Sequence, residues 1–442
     1  MVLYEQREMA DPAMARSLPK LAVSALGRRF DAVRGNLPTV DATVAAERPA
    51  EPLHCLRPRG IAATARLFAA GFAGDVLYAV KCNPEPRVLR ALWAGGIRHF
   101  DCASLAEVML VRQMFPDAAI HFMHPVKARP AIREAFARHG VSDFVFDSGT
   151  ELDKIVEETG GRPVGLILRM AVGGDGARYA LTGKFGVTGE TAVELLRAAR
   201  TKARRLGIAF HVGSQCLKPQ AYTDALIEAG RIAAAAEVDL DILDVGGGFP
   251  VSYADTTPPP LSAYFAAIEA GLQASGLAGQ VRLWAEPGRV LVASGTSVVV
   301  QVQLRRGQEL YINDGVYGSL SDAGVPGFRF PVCLIRPDGP DPAAAAVAFR
   351  LFGPTCDSAD RMDGPFHLPA DTAEGDWIEI GQLGAYGASL RTAFNGFDRA
   401  RLVEVSDPPL VATPGHTLPS ARPPRRRAIH PLLARPLLGG AT

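Results

Sequence analysis

The chain has 442 residues, of which 48% are hydrophobic and 21% charged, with a net charge of +1. That length exceeds one ordinary core and fits about two to three domains, and the near-neutral charge sets nucleic acid aside as a partner. Cysteines at 55, 82, 102, 216, 333 and 356 show no CxxC pair or regular spacing, so neither a metal centre nor a disulfide framework is expected. No apolar stretch suffices for a signal peptide or a membrane span, and the expectation is a soluble, cytoplasmic protein.

In chain order, residues 1–18 read as a flexible extension, and 19–56 as a segment that contributes to a β domain, with the β-like run EPLHCLR at 51–57. From 57 to 295 short apolar runs alternate with amphipathic helical stretches: DVLYAV (75–80), HFDCA (99–103), AIHFM (119–123), DFVFD (143–147), VGLILRM (164–170), IAFHVGS (208–214), LDILDVGGG (240–248) and VRLWAEPG (281–288). Continuous apolar runs separated by helices imply a parallel sheet covered by helices. Eight such units over ~250 residues match a closed (β/α)8 TIM-like barrel. In that fold the chemistry gathers at the C-terminal ends of the strands, where Lys81, Asp101, His124, Asp147, Arg169, His211, Gly246 to Gly248 and Glu286 fall.

From 296 to 411 the texture changes to β-branched and polar alternation (TSVVVQVQL, ELYIND, DWIEI, RLVEV), which predicts an antiparallel β-barrel or sandwich domain. Residues 412–442, rich in Pro and Arg, read as a disordered tail.

Lys81 is the most informative residue. It follows the apolar run 76–80 and precedes Cys82-Asn83-Pro84. A lysine so placed either snorkels to solvent, makes a salt bridge or forms a Schiff base, because desolvation lowers its pKa and frees the amine. Only seven residues are lysines, and the other six (Lys20, Lys127, Lys154, Lys184, Lys202, Lys218) stand in polar, helical, turn-like or glycine-flanked contexts. Gly246-Gly247-Gly248 after a strand lets backbone N–H groups approach an anion, or is merely a flexible loop. Glu286-Pro287-Gly288-Arg289 sets a carboxylate and a guanidinium three residues apart, which a surface ion pair would also explain. Taken with His211 and Lys81, these groups supply an amine for an aldehyde, an acid for a ring nitrogen, donors for a phosphate and a flat ring to stack, a set that matches pyridoxal phosphate.

YAVKCN (78–83), FDCAS (100–104), HVGS (211–214), DVGGGFP (244–250), EPGR (286–289), NDGVYGS (313–319), GPTCDSAD (353–360), LGAY (383–386) and FNGF (394–397) occur in the order seen in fold-type III pyridoxal-phosphate decarboxylases. The chain resembles that family, which covers ornithine, diaminopimelate and arginine decarboxylases, and within it most closely the ornithine decarboxylase pattern. The resemblance implies an alanine racemase-like barrel-plus-β architecture and the cofactor pyridoxal 5′-phosphate. It implies Lys81 as the residue that takes the cofactor aldehyde, Glu286 as partner of the pyridine nitrogen, His211 stacked on the ring and Asp101 beside lysine and cofactor. Arg169 is also expected at the cofactor, with Ser214, Gly246, Gly247, Gly248, Gly288, Arg289 and Tyr386 around the phosphate.

By the same resemblance, Cys356 acts at the substrate α-carbon and Asp357 takes the distal amine, both from the neighbouring subunit of a homodimer, and Tyr317 and Phe394 are also expected to bind substrate. One stretch departs from the pattern. Where eukaryote-like ornithine decarboxylases continue to a second acid for the distal amine, residues 320–330 read Leu-Ser-Asp-Ala-Gly-Val-Pro-Gly-Phe-Arg-Phe. Asp322 could replace that acid, or Arg329 could mark a substrate with an extra negative group. The expected reaction is decarboxylation of a basic amino acid, with ornithine giving putrescine. Alternatives are lysine, diaminopimelate or a carboxynorspermidine-type substrate, a racemase on the same barrel, and a non-catalytic regulator, which would have lost Lys81 or Cys356.

Overall fold

The computed structural model describes residues 37–339 and 344–414, which lie, Leu37 apart, in one compact unit, Pro38–Thr442. The extension expected at 1–18 falls outside the described residues, as does the 412–442 tail apart from 412–414.

Strand β1 (Leu53–Leu56) precedes the alternating region. Then come β2 (Asp75–Ala79), β3 (His99–Cys102), β4 (Ala119–Phe122), β5 (Asp143–Phe146) and β6 (Val164–Arg169), successive strands being joined through a helix. The chain continues through β7 (Ala177–Tyr179), β8 (Ala203–Ala209), β9 (Ser214–Cys216), β10 (Ile242–Asp244) and β11 (Arg282–Ala285). Eight of these close into a barrel in the order β10-β11-β2-β3-β4-β5-β6-β8, all pairs parallel, and each barrel strand overlaps one of the eight apolar runs. Strands β7 and β9 form a separate antiparallel ribbon. The run 208–214 is thus two elements: β8 begins at Ala203, where Arg204 and Arg205 mask the strand pattern, and the chain breaks before β9.

Period-2 alternation builds two layers from each barrel strand. On β2, Leu77 packs inside the ring with Met123, Val145, Ile167, Ile242 and Trp284, while Val76 and Tyr78 join the larger layer beneath the helices. Each large side chain buried in these layers stabilises the fold by roughly 1.5–3 kcal/mol. Serine caps start two of the helices close to strand ends. Ser104 Oγ accepts from Glu107 N–H at 3.3 Å and Glu107 Oε2 accepts from Ala103 N–H at 2.7 Å, fixing the chain just after Asp101. Ser148 Oγ likewise caps the helix Gly149–Glu158, accepting from Glu151 N–H at 3.3 Å.

The second sheet comprises β12 (Thr296–Arg306), β13 (Glu309–Ile312), β14 (Val332–Ile335), β15 (Ala346–Phe352), β16 (Arg361–Pro369), β17 (Trp377–Ile380) and β18 (Arg401–Glu404), joined by β1 to make eight strands. Most pairs are antiparallel. Two are parallel, β1 with β18 and β13 with β15, and depart from the antiparallel expectation. The link from β13 to β15 carries β14 and the short helix Ser321–Gly324, long enough to return the chain in the same direction. Along β12, Val298, Val300 and Val302 face a core with Leu310, Phe349 and Ile378, whereas Val299 faces the opposite side with Val44, Leu53 and Trp377. Among the described residues no helix is long and apolar enough to cross a membrane, and no group of three or more His, Cys, Asp or Glu could hold a metal ion.

Candidate active site

The C-terminal ends of the barrel strands open onto a cavity of about 460 Å³ whose lining includes Lys81, Arg169, His211, Gly247, Glu286 and Arg289. Lys81 stands in a tight turn, Val80–Cys82, directly after β2. Its Nζ lies 2.9 Å from Asp101 Oδ2, at the end of β3, and Asp101 is 1% exposed while the lysine side chain is 43% accessible, into the cavity. Burial works to push the ammonium down, but Asp101, Glu286 and Tyr386 outweigh it and hold the group above its ordinary value. This corrects the expectation that desolvation alone frees the amine: the neighbouring carboxylates reverse the sign.

Glu286, at the end of β11, is buried and its Oε1 has no hydrogen-bond partner. Burial, then the nearby Asp244 and Asp101 carboxyls, pushes Glu286 well above the usual range. A buried carboxyl of this kind ionises only when a positive or strongly donating group is set against it. His211 Nδ1 accepts from Gly213 N–H at 3.0 Å, which leaves the neutral ring with its proton on Nε2. Burial, then Arg169 and Lys81, holds the imidazole well below its usual value, so it presents a neutral flat face.

The glycine run is a matter of steric need. A Cβ on Gly247 would lie 2.7 Å from Glu286 O and 3.0 Å from His211 Nε2, and Gly248, at φ +99°, would meet Gly213 O at 2.4 Å. Both glycines line the cavity. Gly246 does not: its N–H donates to Asp244 Oδ1 at 2.8 Å, and a Cβ there would collide with Phe210 O. Gly288 lines the cavity against Cys82. Arg289 is 7% exposed; it donates to Tyr253 Oη at 2.7 Å and Ser214 Oγ at 3.4 Å, and its Cζ lies 5.0 Å from the Tyr386 ring centroid. Its Nε is buried without a partner. Tyr386 takes a left-handed φ of 62° and donates its N–H to Cys82 O at 2.9 Å, which locks it beneath Arg289 and beside the Lys81 turn.

Asp322, read above as a carboxylate for the distal amine, instead faces Arg289, with Oδ2 2.8 Å from the guanidinium. Arg329 lies 3.7 Å from Asp255 and away from the cavity lining. Cys356, Asp357, Tyr317 and Phe394 form a cluster of their own on the β domain. Tyr317 Oη donates to Asp357 Oδ2, its ring centroid lies 4.9 Å from that of Phe394, and Cys356 Sγ is 3.2 Å from Asn395 Oδ1. Cys356 is exposed, and none of these side chains lines the cavity that holds Lys81.

Some features escaped the sequence. Tyr179, Leu181, Lys184 and Phe185, from the segment around β7, close one side of the cavity; only the glycines around Lys184 hinted at a loop there. Lys127, unlike Lys81, is fully buried. Its side chain is 0% exposed, and Nζ donates to Glu151 at 2.9 Å, His124 O at 2.9 Å and Val145 O at 2.6 Å. Burial pulls this ammonium down to about 8, against Glu151. It pins the loop that carries His124 into the cavity, and the signal, a lysine four residues after an apolar strand run, was present at AIHFM-His-Pro-Val-Lys.

Residues 59–293 match the family described as pyridoxal-dependent decarboxylase, pyridoxal binding domain. The chain belongs to that family. It is 34% identical over 343 residues to a lysine/ornithine decarboxylase of Selenomonas ruminantium, covering 76% of this chain and 84% of that protein. It is 33% identical over 348 residues to an ornithine decarboxylase of Schizosaccharomyces pombe, covering 74% and 76%. The structure of an arginine decarboxylase from Paramecium bursaria Chlorella virus is similar at TM-score 0.74 and 29% identity, over 83% of this chain and 99% of that one. The protein is a pyridoxal 5′-phosphate-dependent decarboxylase. The residues present fit the cofactor: a lysine opens into the cavity, and one oxygen of a buried carboxyl and one nitrogen of a buried guanidinium there both lack partners.

Proposed function

We propose that the protein converts L-ornithine to putrescine as a homodimer whose two sites each draw residues from both subunits, a cytoplasmic step in polyamine synthesis. The observation that carries the substrate reading is Asp357. Its carboxyl is held low by the Ala359 N–H and the Tyr317 hydroxyl, so it is ionised at neutral pH and suited to a simple ammonium. Support for the dimer comes from the same cluster. Cys356 and Asp357 are the β-domain groups with the right chemistry, yet they lie outside the lining of their own chain's cavity, so they would serve the cavity of a second copy.

In this reading Lys81 holds the cofactor, Glu286 and the His211 ring fix its plane, and Ser214, Gly247, Gly248, Gly288, Arg289 and Tyr386 hold its phosphate. Bound there, the cofactor accepts the electron pair left when the Cα–carboxylate bond breaks and carbon dioxide departs. Asp101 holds the Lys81 amine at the mouth of that site, where it would bind the cofactor aldehyde. Cys356 Sγ of the second copy delivers the proton to the α-carbon, and Asp357 of that copy anchors the far ammonium, so that the carboxylate is oriented across the plane set by His211. Product analysis with ornithine, lysine, arginine and diaminopimelate tests the reading. Ornithine should give the highest kcat/KM, and a preference for a substrate with a distal carboxylate would overturn it.

A further inference from the structure

Arg289 and Asp322 join the two halves of the site. The arginine follows the last barrel strand, and Asp322 belongs to the short helix Ser321–Gly324 of the β domain. Both are largely buried, with side chains 7% and 14% exposed, and the guanidinium lies 2.8 Å from Asp322 Oδ2. The contact is one of charge: Asp322 Oδ2 is buried without an aligned hydrogen bond, as is Arg289 Nε. The guanidinium N–H groups point to Tyr253 and Ser214, and its face lies 4.9 Å from the Phe328 ring centroid and 5.0 Å from that of Tyr386. The backbone that carries Asp322 is held in place. Its carbonyl accepts from Phe328 N–H at 2.9 Å, and the following loop is tied down where Arg178 donates to Gly327 O at 3.1 Å and pairs with Asp255 at 3.0 Å.

We propose that Asp322 is the resident counter-ion of Arg289, a carboxylate that balances the buried guanidinium when no phosphate is present and tempers the attraction for phosphate when one arrives. An isolated buried charge is costly, and Arg289 cannot shed its proton, so a chain awaiting its cofactor needs an anion at that place. The same anion opposes an incoming phosphate, because two negative groups then share one guanidinium. Cofactor affinity is thereby set below what Arg289 alone would give, while the chain without cofactor keeps its stability. Committed in this way, Asp322 is a positioning residue and not a substrate carboxylate, which leaves the distal ammonium to Asp357. The inference rests on the reading of Arg289 as a phosphate-holding residue.

The test compares Asp322→Asn, Asp322→Ser and Arg289→Ala with the wild-type holoenzyme. Each is diluted into a scavenger of free cofactor, and release is followed by the loss of protein-bound visible absorbance, once with pyridoxal 5′-phosphate and once after reconstitution with pyridoxal, which has no phosphate. Both Asp322 variants should retain pyridoxal 5′-phosphate roughly tenfold longer than wild type and pyridoxal no longer, and their cofactor-free forms should unfold at lower denaturant. Arg289→Ala should lose pyridoxal 5′-phosphate faster and pyridoxal at the wild-type rate. Unchanged or faster release of pyridoxal 5′-phosphate by the Asp322 variants, or equal slowing of both probes, overturns the counter-ion role. So does an effect confined to KM for the diamino acid. If Arg289→Ala treats both probes as wild type does, the phosphate reading of Arg289 itself fails, and the inference with it.

Discussion

Lys81 Nζ lies 2.9 Å from Asp101 Oδ2, and Asp101 is sealed from solvent with its second oxygen unpartnered. The pair sets the charge of the lysine proposed to meet the cofactor. Burial alone would lower the Lys81 pKa; Asp101 is the largest of the groups that raise it. Asp101→Asn should therefore shift the pH midpoint for capture of pyridoxal by the cofactor-free protein downward. A midpoint at or above that of wild type would show that the carboxylate does not govern this lysine.

Glu286 is buried beside Asp244 and pushed well above the usual carboxyl range. Set against a pyridine nitrogen it would ionise and keep the ring protonated, which strengthens the electron sink. Glu286→Gln should lower kcat by roughly 10²-fold or more, with a smaller change in KM. Wild-type kcat in this variant would remove Glu286 from the chemistry.

Cys356 lies with Asp357, Tyr317 and Asn395 outside the cavity of Lys81. Lys81→Ala and Cys356→Ala chains, each inactive alone, should recover activity when mixed and allowed to exchange subunits, up to about a quarter of wild type, since half of the dimers are mixed and each has one intact site. No recovery after demonstrated exchange would count against shared sites.

His54, on β1, has its Nε2 3.1 Å from Ser319 Oγ in the buried network with Asp314 and Arg391. Burial pushes the imidazole down to about 4, only partly offset by Asp314. The unfolded chain, with a histidine pKa of about 6.5, then binds a proton that the folded chain refuses. The stability associated with neutral His54 is present above pH ~6.5 and is lost progressively down to pH ~4, by roughly 3 kcal/mol. In denaturation measured across that window, His54→Gln should show a shallower fall than wild type. Equal slopes would place the titration elsewhere.

The barrel could be read from the sequence because its strands, β8 with its two arginines apart, are apolar runs that end at a polar residue, so Lys81, Asp101, Arg169, His211 and Glu286 could be assigned to one rim. The ribbon β7–β9 could not, since its strands have three residues each, β7 half-exposed and β9 buried but mixed in polarity, with no period to detect. Nor could the partner of Asp322. It depends on how the loop after Ser319 is tied to Arg178 and Phe328, contacts more than a hundred residues apart in sequence for Arg178. The polar neighbours of Lys127 suggest solvent, while the fold turns it inward onto Glu151 and the carbonyls of His124 and Val145.

The most direct measurement is the release of carbon dioxide and amine from L-ornithine, quantified together, for wild-type holoenzyme and for Lys81→Ala. The predicted result is carbon dioxide and putrescine in equal amounts, turnover faster than with lysine or arginine, and loss of both products in Lys81→Ala by a factor on the order of 10³ or more. Turnover that survives the loss of Lys81, or the absence of any amine product from all three amino acids, would contradict it.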